Sequence, residues 1–398
     1  MKIKLTKQEK NWILYDVGNS AFTLLAATIL PIYFNYIAGK QGLSDVQYLA
    51  YWGYAVSIAT LLTALAGPVF GTVADTKGYK KPVFTIALGI GVIASVALGF
   101  AKYWLAFLVV FVIAKVGYSV TLVFYDSMLV DVTSEDRMDE VSSQGYAWGY
   151  IGSCVPFVIC LLVVLNAGKI GITMEIAMMV SFVIITVWWV IMTLPLLKTY
   201  HQKYYVEKKQ HAFSESFKRI GITLKNVKKE KKVFLFLLAF FFYIEGVYKI
   251  IDMATAYGSA LGLSSTGLLL ALLLTQIVAF PFAIIFGRLA KKYSAEKLIT
   301  VCIVAYLGVA IFAIFLHYQW QFWVLAVWVG MFQGGVQALS RSYFTKIIPA
   351  NQSGASFMGT TIVSLISQLT GNINIGVGMI AVLFVIGIIL FRRAAALE

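Results

Sequence analysis

The chain has 398 residues, 60% of them hydrophobic and 13% charged, with a mean hydropathy of +0.83 and a formal net charge of +14. Soluble domains are about 45–50% apolar and about 25% charged, so the polar side chains here are too few to cover a body in water. A cytosolic enzyme, a disordered regulator and a secreted disulfide scaffold are excluded, which leaves an integral membrane protein.

The positive charge does not point to nucleic acid. The basic residues sit in short gaps between apolar runs of about 20 residues, the length at which a helix crosses a bilayer. The three cysteines, Cys154, Cys160 and Cys302, fall inside such runs and read as small buried side chains, so no disulfide, metal or cofactor is expected. Residues 1–10 form a short basic segment. The apolar stretch after it is too long for a signal peptide and lacks a small-residue cleavage site, so it reads as a first membrane helix. Residues 394–398 read as an appended tail.

Twelve spans are predicted, at about 12–38, 47–74, 83–101, 103–130, 142–165, 172–196, 232–258, 264–289, 298–317, 319–345, 353–370 and 373–391. Their solid apolar runs are unlike the alternating ten-residue segments of a membrane barrel. The segments that place the N-terminus inside hold 27 of the 32 Lys and Arg, so both termini are expected to be cytoplasmic. Residues 197–231 stand apart as a polar, basic linker. Phe213, Phe217, Ile220, Ile222 and Leu224 can form one apolar side of an interfacial helix there, with the basic side resting on anionic lipid. The expected domains are therefore a six-helix bundle at 1–196, this linker, and a second six-helix bundle at 232–398.

The two bundles echo each other. Phe70-Gly71-Thr72-Val73-Ala74-Asp75 after span 2 recurs as Phe286-Gly287-Arg288-Leu289-Ala290-Lys291 after span 8. Two six-helix halves of like orientation are the architecture of major facilitator transporters. The first copy continues to Gly78, Lys80 and Lys81 and resembles the loop signature of that superfamily. In it Gly71 lets helices approach, Asp75 accepts hydrogen bonds, Gly78 permits the reversal, and the two lysines hold the loop at the inner surface. In the second copy Lys291 stands at the acidic position.

Four further segments narrow the resemblance: Tyr15-Asp16-Val17-Gly18-Asn19-Ser20-Ala21-Phe22, the Gly145, Gly149 and Gly152 run of span 5, Tyr243-Ile244-Glu245-Gly246 in span 7, and Gly334 to Phe344 at the end of span 10. Together they resemble the vacuole-effluxer-like branch of the superfamily. The resemblance implies an all-helical major facilitator fold and a secondary active transporter, with amino-acid efflux the activity associated with the fungal vacuolar members. Two departures stand out: Glu245 occupies a position that usually carries aspartate, and span 11 is short.

Charges inside a membrane are costly and mark function. The spans contain Asp16, Lys115, Asp126, Glu245, Lys249 and Asp252, with Arg341 near the inner end of span 10. All lie on spans 1, 4, 7 and 10, which the resemblance places around a central cavity. At a rise of about 1.5 Å per residue, Lys115 and Glu245 fall near the midplane. The expected substrate or proton site is Asp16, Asn19, Lys115, Tyr118, Glu245, Lys249, Asp252 and Gln337. Glu245 and Lys249 are spaced to pair along one helix, either as a structural ion pair or with Glu245 as the proton- or substrate-responsive carboxylate.

Aligning the halves at an offset of 215 residues sets Asp126 against Arg341 and Asp131 against Lys346. The expectation is an inner gate of these four, with Asp16 beside them, that breaks when the inner side opens. The plainer alternative is separate snorkelling to the interface. Trp12 and Tyr33 are assigned to interface belts, while Tyr118, Tyr243 and Tyr248 lie deeper and can face an amine. Four deep acids against two bases favour a cationic or zwitterionic solute.

No phosphate-binding loop, zinc-protease motif or channel filter is present, and His201, His211 and His317 lie outside the deep spans, so no enzyme is expected. The functional expectation is a proton-coupled secondary transporter of an amino acid or similar metabolite. A lipid or lipophilic-drug exporter and a non-transporting receptor are the alternatives. The protein is expected to be a monomer in the cell membrane, with a small-molecule substrate, protons and lipids as partners and no nucleic acid.

Overall fold

A computed structural model describes residues 4–74, 76–205, 207, 230–261, 263–347 and 377–397. Eleven long helices run through them. The first six are α1 (Lys7–Lys40), α2 (Asp45–Ala74), α3 (Lys80–Ala97), α4 (Trp104–Ser127), α5 (Met138–Leu165) and α6 (Met174–Thr199). After the linker come α7 (Lys231–Ala260), α8 (Ser265–Leu289), α9 (Ala295–Ile314), α10 (Gln319–Ile347) and α11 (Val377–Ala395). Among the described residues, nine helices are long and apolar enough to cross a membrane. The span predicted at 353–370 and the interfacial helix predicted within 197–231 lie outside the described residues, and the span predicted at 373–391 is α11.

The helices begin earlier than the apolar runs because polar residues cap them. Thr6 and Glu9 form a reciprocal capping box that starts α1 at Lys7, five residues before the hydropathy rises. The Glu9 carboxylate is also gripped by two nitrogens of Arg137, at 2.9 and 2.7 Å, and by the Thr133 hydroxyl at 2.7 Å. One acidic side chain thereby caps α1 and pins it to the turn before α5.

The buried apolar residues fall into two large clusters. One is built from α1 to α6 and carries Trp12, Phe34, Phe107 and Trp189; the other is built from α7 to α11 and carries Phe236, Tyr306 and Phe384. A small third cluster, Ala147, Tyr150, Ala279 and Ala283, lies on the seam between α5 and α8. α5 is the common element: it packs on α1 and α6 in its own group and on α8 and α10 in the other.

Small residues make those approaches possible. A Cβ on Gly149 would lie 2.8 Å from Ser20 Oγ, and one on Gly152 would lie 2.5 Å from Val17 Cγ1, so the glycine stripe of α5 is the surface on which α1 seats. The α2–α3 turn needs its glycine for a different reason. Gly78 has φ +79°, in the left-handed region, and its N–H donates to Gln202 Oε1 at 3.1 Å. The start of α1, the α2–α3 turn, the start of α5 and the ends of α10 and α11 gather at one end of the molecule, here termed the basic end.

Candidate functional site

At the basic end the two helix groups are held together by charged side chains, and Arg341 of α10 is the centre. Its Nη1 donates to Asp126 Oδ1 at 3.0 Å and its Nη2 lies 3.7 Å from Asp16 Oδ2. The remaining donors go to α5: Nε to Ser142 Oγ at 2.8 Å and Nη2 to the Ser142 carbonyl at 2.9 Å. Arg341 comes from the second group, and all of these partners come from the first.

The guanidinium is also boxed by aromatic faces. Its carbon lies 4.2 Å from the Tyr146 ring centroid, 4.7 Å from Trp12 and 5.4 Å from Tyr125, within cation–π range. The box is fixed from within the first group. Trp12 stacks on Tyr125 at 4.3 Å and its Nε1 donates to the Tyr125 carbonyl, while the Tyr125 hydroxyl donates to Asp16 Oδ2 at 3.0 Å. Gly145 leaves the space for this assembly, since a Cβ there would sit 2.8 Å from Asp16 Oδ2 and 3.2 Å from Arg341 Nη2. Two carboxylates face one guanidinium, so with both ionised the cluster has one uncompensated negative charge.

Three more side chains of α5, Asp139, Glu140 and Tyr150, reach polar partners across the seam. Asp139 accepts from Lys346 Nζ at 2.6 Å and from the Ser342 hydroxyl at 2.6 Å. Glu140 pairs with Lys291 at 2.5 Å, close to where Gly287 lets α8 press on Ser143. The Tyr150 hydroxyl donates to Gln337 Oε1 at 2.5 Å.

Several expectations are corrected here. Lys346 does not meet Asp131. Its partner is Asp139, because α4 ends at Ser127 and Asp131 lies in a separate turn, Leu129–Val132, where the pseudo-symmetric register no longer holds. Asp131 is instead a fully buried anchor within the first group. It pairs with Lys80 at 3.2 Å, accepts from the Tyr200 hydroxyl, and accepts the Lys203 and Tyr204 backbone N–H groups at 2.9 and 3.0 Å. Lys80 is correspondingly buried rather than at the membrane surface, while Lys81 remains exposed. Lys77 pairs with Glu207, which raises the ammonium pKa above its ordinary value, so the start of the linker is clipped to the α2–α3 turn. Trp12 and Tyr33 are not interface belts either: both are buried in the first cluster, Trp12 against Arg341 and Tyr33 against Phe107 and Phe182.

The deeper residues line α1, α4, α7 and α10. Asn19 is buried one turn along α1 from Asp16, and Tyr15 donates to Thr121 at 2.6 Å. The Tyr118 hydroxyl is bonded to Thr23, and the Lys115 ammonium lies 5.5 Å from the Tyr118 ring centroid. Glu245 is buried on α7, Lys249 is half-buried one turn on, and Tyr243 shares a 2.6 Å hydrogen bond with Ser340. Tyr248 is exposed, unlike Tyr118 and Tyr243. Asp75 and the side chain of Asp252 lie outside the described residues; Gly71 falls within α2.

Sequence reasoning missed Asp139, Glu140 and Ser142, which carry most of the first group's side of the seam. Their signal was available as an acidic pair one turn before the glycine stripe, but nothing in one sequence says which basic residue such a pair meets.

Comparison with known proteins agrees with this architecture. Residues 6–396 match the family described as vacuole effluxer Atg22 like. An MFS-type transporter of Bacillus subtilis, YxiO, is 42% identical over 98% of this chain and 95% of its own length. An autophagy-related protein 22 of Vanderwaltozyma polyspora is 23% identical over 98% of this chain and 91% of its own. Among solved structures, the transporter FucP in an outward conformation superposes with a TM-score of 0.69 at 12% identity, covering 98% of this chain and 97% of FucP. The human organic anion transporter MFSD10 gives 0.66 at 12% identity, covering 98% and 100%. The fold is that of the major facilitator superfamily.

Proposed function

The chain belongs to the vacuole effluxer Atg22-like family of major facilitator transporters, and from that premise we propose that it moves a small zwitterionic or cationic metabolite, such as an amino acid, by proton-coupled alternating access. The basic end faces the cytoplasm in this reading, as the distribution of Lys and Arg favours, and the membrane is the cell membrane.

The observation that supports it is the seam around Arg341. Two helix groups that meet through exchangeable ion pairs, rather than through one continuous core, can part at that end without unfolding. In this reading the cytoplasmic end is shut by Asp126, Asp16 and Arg341, with the Asp139–Lys346 and Glu140–Lys291 pairs beside them. Alternating access requires these bonds to break while equivalent ones form at the far end. Glu245, Lys115 and Tyr118 then stand on the outer side of the closed seam, where Glu245 is the proton- or substrate-responsive carboxylate and the aromatic rings receive an amine.

Reconstituted flux tests the reading. Wild type in proteoliposomes accumulates labelled amino acid when a pH gradient is imposed, and Glu245→Gln loses gradient-driven uptake while retaining exchange. Saturable binding without accumulation would overturn transport, and unchanged proton dependence in Glu245→Gln would overturn the role of that carboxylate.

A further inference from the structure

Arg341 sits in its pocket as a bound ligand would. Among the described residues, every group that holds it belongs to the first helix group: the Trp12, Tyr125 and Tyr146 faces, the Asp16 and Asp126 carboxylates, and Ser142. The Trp12–Tyr125 stack and the Tyr125–Asp16 hydrogen bond are made within that group, so they persist when Arg341 withdraws. A planar donor fork between aromatic faces and carboxylates is the setting in which a guanidinium is recognised by shape as well as charge.

We propose that this cage is a second ligand site: once the halves part at the basic end, it binds a free organic cation carrying a guanidinium group, in competition with Arg341. The inference rests on the alternating-access reading. Arg341's departure leaves two carboxylates on one wall of the opened vestibule without the guanidinium that pairs with both, and charges left unpaired within a membrane protein are costly. A cation entering from that side offsets the cost and takes up the same donor positions. Because it binds only the open form, it shifts the population toward that form. The cage would thus let guanidinium compounds on the inner side hold the gate open.

Arg341→Ala supplies the direct test, because the atoms removed beyond Cβ correspond to ethylguanidinium. Purified Arg341→Ala is titrated with ethylguanidinium chloride at low millimolar concentration, with ethylammonium chloride as the control at equal ionic strength. The melting temperature rises saturably by a few degrees with ethylguanidinium and less with ethylammonium, and the rise is lost in the Asp16→Asn/Arg341→Ala double variant. A flat titration of monodisperse Arg341→Ala overturns the proposal, and so does an equal rise in the double variant. If Arg341→Ala does not fold, the otherwise wild-type protein decides. Ser342 is fully buried at the seam, and Ser342→Cys reacts several-fold faster with maleimide in ethylguanidinium than in ethylammonium; equal rates overturn the proposal. Flux without binding to Arg341→Ala sinks the cage alone, whereas binding without flux sinks the transport reading and leaves the cage standing.

Discussion

Neutralising Asp126 is the sharpest perturbation of the seam. Asp126→Asn keeps the shape and an oxygen acceptor for Arg341 Nη1 at the 3.0 Å position but removes the charge. Arg341 stays charged, so that bond remains charge-assisted; what is lost is the attraction between the two ions, about 4 kcal/mol at about 4 Å with an effective dielectric of about 20 and about 1 kcal/mol in water. The Asp126 side chain is 27% exposed, which screens part of the Coulomb attraction, and Arg341 keeps Asp16 at 3.7 Å, so no buried charge is left without a partner. The net loss to the closed state is then about 1–2 kcal/mol, which raises the open-to-closed ratio about 5- to 30-fold. The assay is the maleimide labelling rate of Ser342→Cys, since Ser342 is covered at the seam and the three natural cysteines are buried. Labelling faster by that factor is expected; a rate within twofold of the Asp126 parent, or slower, would refute the reasoning. The exchange of Asp126 and Arg341 is a poorer test than the pairing of two residues implies, because Arg341→Asp sets a second carboxylate against Asp16.

The other seam pairs should rank by burial. Lys346→Ala speeds Ser342→Cys labelling more than Lys291→Ala does, because Lys346 is 24% exposed and Lys291 58%. Gly145→Ala forces a Cβ against Asp16 and costs about 1–3 kcal/mol, read as a lowered melting temperature. Gly89→Ala, where a Cβ meets nothing within 4 Å, leaves that temperature unchanged or raises it. Asp131→Ala strands Lys80 in a buried position and frees the backbone at Lys203 and Tyr204, so it lowers stability by about 3–5 kcal/mol. Trypsin then cuts at Lys203 faster than in wild type, and equal cleavage would show that Asp131 does not anchor the linker.

The class of the protein follows from its amino acids alone. Thirteen per cent charge with long apolar runs points to membrane helices, since a bilayer leaves the backbone only helices or closed barrels and solid runs of about 20 apolar residues are not barrel strands. The repeat of Phe70–Asp75 at Phe286–Lys291 carried the two-half architecture, and the deep charges on α1, α4, α7 and α10 pointed to four of the helices around the candidate site, though not to α5. Even the meeting of Asp126 with Arg341 was legible, because internal symmetry places equivalent helix ends opposite each other.

What one sequence could not hold is the partner of each charge where that symmetry fails. Asp131 and Asp139 are eight residues apart, on one side of the membrane and of the same charge, so composition and spacing treat them alike. A helix end at Ser127 turns Asp131 inward to Lys80, and the rise of α5 from Met138 carries Asp139 outward to Lys346. Likewise Trp12 reads as an interface residue by its place in the chain. Only the glycine stripe of α5, by drawing α1 close, sets its ring against Arg341. Tertiary structure decided these because pairing energy depends on separation over a few ångströms, and that separation is set by how helices from distant parts of the chain pack.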